Sequence, residues 1–192
     1  MIGPVREIKS HLALLLLALS PGLGCSADSR GSAAEPAADA APVGPLPCVY
    51  FKDLAPFLPD RLEGFTPSNT EGSTGKYGEV SISEAERTYT RGEDREVKVR
   101  IVDTTLGGKI AKSIRAAAED ARRRPESDPT APIFWDAAVG FVRYDPSEAT
   151  AEANLLVGDR YVVAVTSRGF PGTVEVRRVA RGIDLAGLAR LR

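Results

Sequence analysis

The chain has 192 residues, of which 43% are hydrophobic and 27% charged, and its formal net charge is −1 at pH 7. These are values of a globular protein, and a charge so close to zero excludes a general attraction to nucleic acid. The single histidine is His11, the single methionine is Met1, and the two cysteines are Cys25 and Cys48. The residues after Cys25 therefore cannot form a Ser-His-Asp triad, a Cys-His dyad or a histidine-based zinc site.

The first segment has the pattern of a secretory signal peptide. Arg6 and Lys9 precede the apolar run LALLLLAL at residues 12–19, and small residues follow it. As a helix this run would be about 12 Å long, far short of the ~30 Å core that a retained transmembrane helix must cross. A charged start, a short apolar run and small residues are the order of a cleaved signal peptide. We therefore predict a signal peptide over residues 1–24 rather than a buried N-terminal helix.

Gly24 and Cys25 follow this run and resemble the end of the lipobox of bacterial lipoproteins. The resemblance implies that Cys25 receives a diacylglyceryl group, becomes the N-terminal residue after cleavage and carries acyl chains such as palmitate. Gly22 departs from the pattern, because leucine is usual three places before the cysteine and here stands at Leu23. This departure leaves open an ordinary signal-peptidase cut near Ser26-Ala27, which would release a soluble periplasmic or secreted protein.

The lipoprotein resemblance also implies a location. Each buried CH₂ of an acyl chain contributes about 0.8 kcal/mol, and two or more chains give stable membrane attachment where one does not. Lipoproteins with aspartate directly after the cysteine tend to stay in the inner membrane, and Ser26 stands at that place here. The expected location is the bacterial cell envelope, in the outer membrane and facing the periplasm.

Residues 26–45 read SADSRGSAAEPAADAAPVGP, with seven alanines, three serines and three prolines. A segment of this composition cannot bury enough apolar surface to offset its ordering entropy, and its prolines interrupt an alanine-rich helix. We predict that residues 25–45, which begin with the lipidated Cys25, are a disordered tether with a reach of roughly 25 Å. A single globular domain is predicted over residues 46–192.

The first half of the domain contains one hairpin and one helix by pattern. The stretch 63–77 is rich in Gly, Ser and Thr and is predicted to be a loop. Apolar and polar residues alternate in Val80–Tyr89 and Val97–Val102, which predicts two antiparallel strands. Residues 103–105 offer capping side chains. Apolar residues then recur at steps of three and four from Leu106 to Ala121, which indicates an amphipathic helix.

The second half predicts three more strands and a helix. Residues 132–144 and 150–157 read as strands, and Tyr161–Val165 reads as a central strand covered on both faces. A helix is predicted over residues 173–182, and Asp184 is predicted to cap a last turn. The order ββαβββα predicts an α+β fold: an antiparallel sheet of about five strands with two main helices packed against a face. Element order and size resemble Mog1/PsbP-like α+β domains, a likeness of fold that implies no function.

Two short patterns resemble catalytic or nucleotide-binding motifs but lack the required context. GSTGKY at residues 72–77 is similar to a phosphate-binding P-loop, yet Thr70 replaces the first glycine and Tyr77 replaces the hydroxyl residue after the lysine. Ser73–Lys76 spells S-x-x-K, the pattern of serine acyltransferases and β-lactamases, without its S-D-N and K-T-G companions. A flexible loop is the expected structure for both.

Charged clusters have an ordinary structural interpretation as well. The run Arg122–Arg124 could bind phospholipid headgroups or another anion, but cations at a helix C-terminus are also favoured by the helix dipole. Four carboxylates could be paired for acid–base catalysis, although aspartate is a routine turn residue. They are Asp136, Asp145, Glu148 and Asp159. We favour helix capping and turn formation, and expect no catalytic residue, metal site or cofactor.

Cys48 has no partner in its own chain if Cys25 is acylated. An unpaired cysteine in an oxidising compartment is either buried or joined to a second chain. Cys48 is therefore a candidate free thiol, buried under Phe51 and Phe57, or a candidate intermolecular disulfide.

Two functions remain open from the sequence. The first is a lipid-anchored, non-catalytic interaction or structural module of the cell envelope, which contacts the membrane through Cys25 and binds an envelope protein. The second is a carrier or sensor that binds a small apolar ligand or lipid in a pocket between sheet and helices. Candidate lining residues for that pocket are Phe134, Trp135, Phe141 and Tyr161. An enclosed apolar cavity would favour the carrier, whereas a filled core with an exposed patch would favour interaction.

Overall fold

The computed structural model describes residues 47–192. The predicted signal peptide at residues 1–24 and the predicted tether at residues 25–45, which includes Cys25, lie outside the described residues. From residue 47 onward, no helix is both long enough and apolar enough to cross a membrane.

Eight strands and four α-helices make up the described part of the chain, which confirms the predicted α+β class. The strands are β1 (Thr66–Pro67), β2 (Glu71–Tyr77), β3 (Val80–Arg91), β4 (Arg95–Thr104), β5 (Thr130–Trp135), β6 (Ala138–Asp145), β7 (Thr150–Val157) and β8 (Tyr161–Arg168). The helices are α1 (Phe51–Leu54), α2 (Gly107–Arg123), α3 (Val174–Arg181) and α4 (Leu185–Arg190), and a 3₁₀ turn over Ala55–Phe57 follows α1.

All the strands join one antiparallel sheet in the order β1-β3-β4-β8-β7-β6-β5, and β2 pairs with β3 beside β1. The hairpins are β2–β3, β3–β4, β5–β6, β6–β7 and β7–β8. β8 also pairs with β4 and so joins the two halves of the sheet. The last strand therefore lies at the centre of the sheet. Its nearly continuous apolar sequence predicts this position.

The predicted count of five strands and the order ββαβββα are wrong. The stretch 63–77, expected to be a loop, contains β1 and β2. β2 has the sequence EGSTGKY and is exposed over most of its length, so it carries no apolar alternation. Its strand conformation comes from seven residue pairs with β3, a contribution of the neighbouring strand that the residue pattern of β2 itself does not contain.

The second error is the single strand predicted over residues 132–144. The chain reverses there at Asp136 and Ala137, so that β5 and β6 form a hairpin in which Trp135 pairs with Ala138. This turn contains neither glycine nor proline, the residues that usually mark a turn in a sequence. The apolar residues on both sides therefore read as one continuous segment.

Helices cover both faces of the sheet, whereas the sequence predicted helices on a single face. Side chains alternate between the faces of a strand, and Leu155 and Val163 belong to the main core formed with α3 and α4. Their neighbours Leu156 and Val162 face the other way and pack with Ile114 of α2. The single amphipathic helix α2 thus covers one face, and the shorter helices cover the opposite face.

Of the two predicted helix caps, one is confirmed and one is wrong. Asp184 caps α4 as predicted, because its carboxylate accepts a hydrogen bond of 2.8 Å from the Gly187 N–H. Helix α2 begins after Leu106 without a side-chain cap, so the capping role expected for residues 103–105 is wrong. Thr105 instead accepts a hydrogen bond from the Ser81 N–H of β3, and Asp103 has the buried role described below.

Candidate functional site: an open aromatic cleft

An open cleft of about 510 Å³ lies at the end of the sheet where the β5–β6 and β7–β8 turns are found. We call it the aromatic cleft and define it by Phe134, Trp135, Asp136, Arg115 and Asp159. Its walls come from the β5–β6 hairpin, the β7–β8 turn, α2 and α4. The cleft is therefore held between four elements of the fold.

Phe134 and Trp135 place two aromatic rings on opposite sides of β5. Phe134 is 49% exposed, and the Arg122 guanidinium of α2 lies 5.9 Å from its ring centre. Trp135 packs against the main core, and the Arg181 guanidinium of α3 lies 5.3 Å from its ring. Because consecutive residues of a strand face opposite ways, the cleft reaches around the end of the sheet to both faces.

The charged groups of the cleft are partly paired with each other. Arg115 of α2 forms a salt bridge with Asp159, and their side chains are 50% and 73% exposed. Asp159 follows Gly158 in the β7–β8 hairpin turn that the sequence predicts. Asp136 is exposed in the β5–β6 turn. The rim of the cleft is therefore polar, and its most exposed apolar group is Phe134.

A second cleft of about 360 Å³ adjoins the first and shares Gly158, Asp159 and Ala189 with it. Tyr161 contributes to its wall, but this side chain is only 1% exposed and donates a 3.0 Å hydrogen bond to the Leu191 carbonyl. Burial raises the pKa of the Tyr161 hydroxyl. Tyr161 is thus a core residue whose hydroxyl fixes the chain after α4.

Two of the four aromatic residues predicted to line a pocket therefore meet in one cleft. Phe134 and Trp135 line the aromatic cleft, and Tyr161 belongs to the core. Phe141 is half-buried in β6 and lines neither of the two clefts. Phe141 lies apart from Phe134 and Trp135 because the turn at Asp136 places it on a second strand, β6, whereas β5 and β6 were expected to be one strand. Side chains also alternate between the two faces of each strand.

The four predicted carboxylates divide between the two ends of the sheet. Asp136 and Asp159 line the aromatic cleft, while Asp145 and Glu148 lie at the β6–β7 turn. Asp145 accepts hydrogen bonds from the Ser147 N–H and hydroxyl at 2.9 and 2.6 Å. These two bonds lower the pKa of the Asp145 carboxyl, which is the behaviour of a turn-forming aspartate.

The three arginines at the end of α2 form ion pairs with acidic residues nearby in sequence. Arg123 and Arg124 lie 3.4 and 2.7 Å from the Asp120 carboxylate, and Arg122 lies 4.0 Å from Glu119. Arg122 and Arg123 occupy the last turn of the helix. The arrangement agrees with the interpretation of this run as helix C-terminal cations.

A buried ion pair, which no local pattern in the sequence indicates, fixes the start of the described chain. Asp103 is 2% exposed and accepts hydrogen bonds from Arg160 at 2.7 and 3.1 Å and from the Val49 N–H at 2.8 Å. Arg160 also donates to the Pro47 carbonyl at 3.0 Å, and the Asp103 hydrogen bond raises its pKa. We call Asp103, Arg160 and the backbone at residues 47–49 the N-terminal clamp.

Cys48 lies inside this clamp. Its thiol is partly buried and donates to the Ser81 carbonyl at 3.2 Å, and it is not part of a disulfide within the described residues. Burial and the nearby Asp103 charge raise the pKa of the Cys48 thiol. This environment favours the unreactive neutral thiol. The intermolecular disulfide stays a prediction.

The structure excludes both motif resemblances at residues 72–77. A P-loop and an S-x-x-K site each require a helix directly after or around the motif. Here Gly72–Tyr77 belongs to β2, and a tight turn leads from it into β3. Between residues 47 and 192 no group of three His, Cys, Asp or Glu residues could hold a metal ion.

No known protein family, curated protein or solved structure matches this chain. The likeness to bacterial lipoproteins around Cys25 and the likeness to Mog1/PsbP-like domains are therefore expectations from the sequence alone.

Proposed function

We propose that the protein is a lipid-anchored, non-catalytic interaction module of the bacterial cell envelope. In this proposal acyl chains on Cys25 hold it in the outer membrane, the segment 25–45 acts as a tether, and the aromatic cleft binds an envelope protein. The observation that carries the binding role is the half-exposed ring of Phe134 beside Trp135 in an open cleft.

The composition of the cleft supports protein recognition. Aromatic residues and arginine provide much of the binding energy at protein interfaces, particularly where a rim excludes water from a central ring. Phe134 supplies an exposed apolar ring, and Asp136, Arg115 and Asp159 supply a polar rim around it. A partner that covers the exposed part of Phe134 gains burial of apolar surface, since each Å² removed from water is worth about 25 cal/mol.

The groups in the cleft favour binding over catalysis. Its lining contains no Ser, Thr, Cys, Lys or Tyr that could act as a nucleophile, within the part of the chain described here. Of its two carboxylates, Asp159 is paired with Arg115. This arrangement supports the non-catalytic part of the proposal.

A carrier of a small apolar ligand is the second candidate. The volume of about 510 Å³ falls in the range of roughly 300–1,000 Å³ typical of ligand sites, and the adjoining cleft extends it. The openness of the cleft and its charged rim make it a poorer container for an apolar molecule than an enclosed pocket. Interaction with a protein is therefore the first proposal.

We expect Phe134→Ala to reduce binding of the partner about tenfold or more, the loss typical of an interface hot spot. A photocrosslinking amino acid in place of the exposed Asp136 measures this binding in intact bacteria through the yield of a discrete adduct. Tyr77→Ala is the matched control, because Tyr77 is 70% exposed on β2 and does not line the cleft. Its adduct yield should stay within about twofold of the parent chain.

Equal adduct loss in both variants, or unchanged yield in Phe134→Ala, would contradict the role of the cleft.

Trp135 is the only tryptophan of the chain, so intrinsic fluorescence reports on the cleft and separates the two candidates. Palmitate is added to the parent chain and to Phe134→Ala, and Trp135 emission is followed. A saturable change in the parent chain that is absent in Phe134→Ala would show that the cleft binds an apolar ligand, and the carrier would then replace the interaction proposal. The interaction proposal predicts no saturable change.

A further inference from the structure

The β3–β4 hairpin ends with two arginines directly opposite each other. Arg91 is the last residue of β3, Arg95 is the first residue of β4, and the strand register pairs them. Like charges at paired positions of a sheet repel each other. Within residues 47–192, no carboxylate lies within 4.0 Å of either guanidinium, although Glu93 and Asp94 occupy the turn between them. The pair is thus a double positive charge without a direct ion pair, at a turn that also carries Glu93 and Asp94.

Both guanidinium groups lie over the same aromatic ring. The ring centre of Phe170 is 5.2 Å from the guanidinium carbon of Arg91 and 5.5 Å from that of Arg95. Arg91 also lies 4.8 Å from the ring of Phe65, whose centre is 6.0 Å from that of Phe170. Cation–π attraction at such distances orients a guanidinium. The two charges are therefore held in place before any ligand arrives.

The aromatic platform is itself fixed to the hairpin. Phe170 is 7% exposed, and it follows Gly169, which has a φ of +79°. A Cβ at Gly169 would lie 2.2 Å from the Asp94 carbonyl oxygen, so the backbone before Phe170 touches the turn that joins the two arginines. This close approach sets the position of the ring relative to both guanidinium groups.

The arrangement is costly without an anion. The Nε–H of Arg91 is shielded from solvent and has no hydrogen-bond acceptor among the described residues. The repulsion between the two paired arginines raises the free energy of the free protein, whereas the shielded Nε–H is out of reach of water and anion alike. An anion bound between the guanidinium groups would relieve the repulsion, and the prior fixing of both side chains would lower the entropy lost on binding.

We propose that Arg91 and Arg95 form a binding site for a phosphate group, at the end of the sheet opposite to the aromatic cleft. Each planar guanidinium can donate two parallel hydrogen bonds to a tetrahedral oxyanion. The two positive charges match a phosphate monoester, which carries about −1.5 to −2 at pH 7, better than they match a single carboxylate. The phosphate group belongs either to a small phosphate ester or to a phospholipid headgroup.

Titration of the isotope-labelled full chain with inorganic phosphate tests the site, with the arginine Nε–H NMR signals as the readout. We expect saturable shifts of the Arg91 and Arg95 signals, and about tenfold weaker affinity in Arg95→Gln, the size expected when a charged hydrogen bond is lost. Arg95 is exposed, so this variant keeps its fold. Lys112→Gln on the exposed side of α2 removes the same charge and should leave the affinity within about twofold.

Two results would overturn the proposal: equal loss of affinity in Arg95→Gln and Lys112→Gln, or no saturable shift with phosphate. Tighter binding of a glutamate-rich peptide than of phosphate would also overturn it, because it would identify a carboxylate site. Phe134→Ala should leave phosphate affinity unchanged, so that failure of the aromatic cleft and failure of this site are distinguishable.

Sedimentation with vesicles distinguishes the two sources of the phosphate group. Binding to phosphatidylcholine vesicles with and without phosphatidic acid is compared for the parent chain and for the Arg91→Gln/Arg95→Gln double variant. Membrane attachment through other segments is the same in both chains, so it does not contribute to the difference between them. A phosphatidic acid effect that the double variant lacks identifies a lipid headgroup. Binding of glycerol phosphate without such an effect identifies a small phosphate ester, and both outcomes support the phosphate site.

Discussion

Replacing Asp103 with alanine is expected to lower the free energy of unfolding by about 3 kcal/mol, the loss typical when one partner of a buried ion pair is removed. Asp103 is 2% exposed and accepts hydrogen bonds from Arg160 and from the Val49 N–H. Without its carboxylate, the Arg160 charge stays mostly buried and unpaired, since its side chain is 19% exposed. The Val49 N–H also loses its acceptor.

Urea unfolding of the full chain, followed by circular dichroism, measures the effect of Asp103→Ala. Arg115→Ala is the matched control, because it breaks the Arg115–Asp159 pair whose side chains are 50% and 73% exposed. Exposed ion pairs contribute about 1 kcal/mol or less. If the two variants lose the same stability, the N-terminal clamp does not stabilise the fold as a buried ion pair does.

Gly140→Ala is expected to cost about 3 kcal/mol or more, at the upper end of overpacking substitutions. A Cβ on Gly140 would lie 1.9 Å from the Asn154 carbonyl oxygen and 2.9 Å from its carbonyl carbon. These are backbone atoms of β7, and Gly140 pairs with Leu155 of the same strand. Relief of the clash therefore requires separation of β6 from β7, because a change of side-chain rotamer cannot move these backbone atoms.

The same unfolding measurement tests Gly140→Ala against Gly108→Ala. Gly108 lies in the first turn of α2, and a Cβ there would meet nothing within 4 Å. Alanine favours helix over glycine, so the control should be neutral or stabilising by up to about 1 kcal/mol. A Gly140→Ala variant as stable as the Gly108→Ala control would show that the β6–β7 packing is looser than the structure indicates.

Local periodicity predicted those elements whose apolar residues repeat along their own sequence. Helix α2 and the strands β7 and β8 are such cases. The Asp184 cap was predicted from the residue type at a single position. β2 could not be predicted in this way, since its polar sequence becomes a strand only by pairing with β3. The β5–β6 turn lacked a turn-forming glycine or proline, so two strands read as one.

The candidate sites depend on contacts between distant parts of the chain. The residues around Asp103 predict a helix cap, whereas its actual partner, Arg160, is 57 residues away in the sequence. Phe134 and Trp135 could be named as ligand-lining aromatics, but their common cleft follows from the hairpin turn at Asp136. The arginine pair of the phosphate site is adjacent only through the β3–β4 register and the Phe170 ring.

Intact-mass measurement of the protein from membranes of an expressing bacterium tests the proposed lipid anchor most directly, with Cys25→Ala as the control. The proposed function predicts a parent chain that begins at Cys25 and carries added acyl mass, and a Cys25→Ala variant without that mass. A parent chain that begins beyond Cys25 and lacks acyl mass would contradict the lipid-anchored module and would identify a soluble periplasmic or secreted protein.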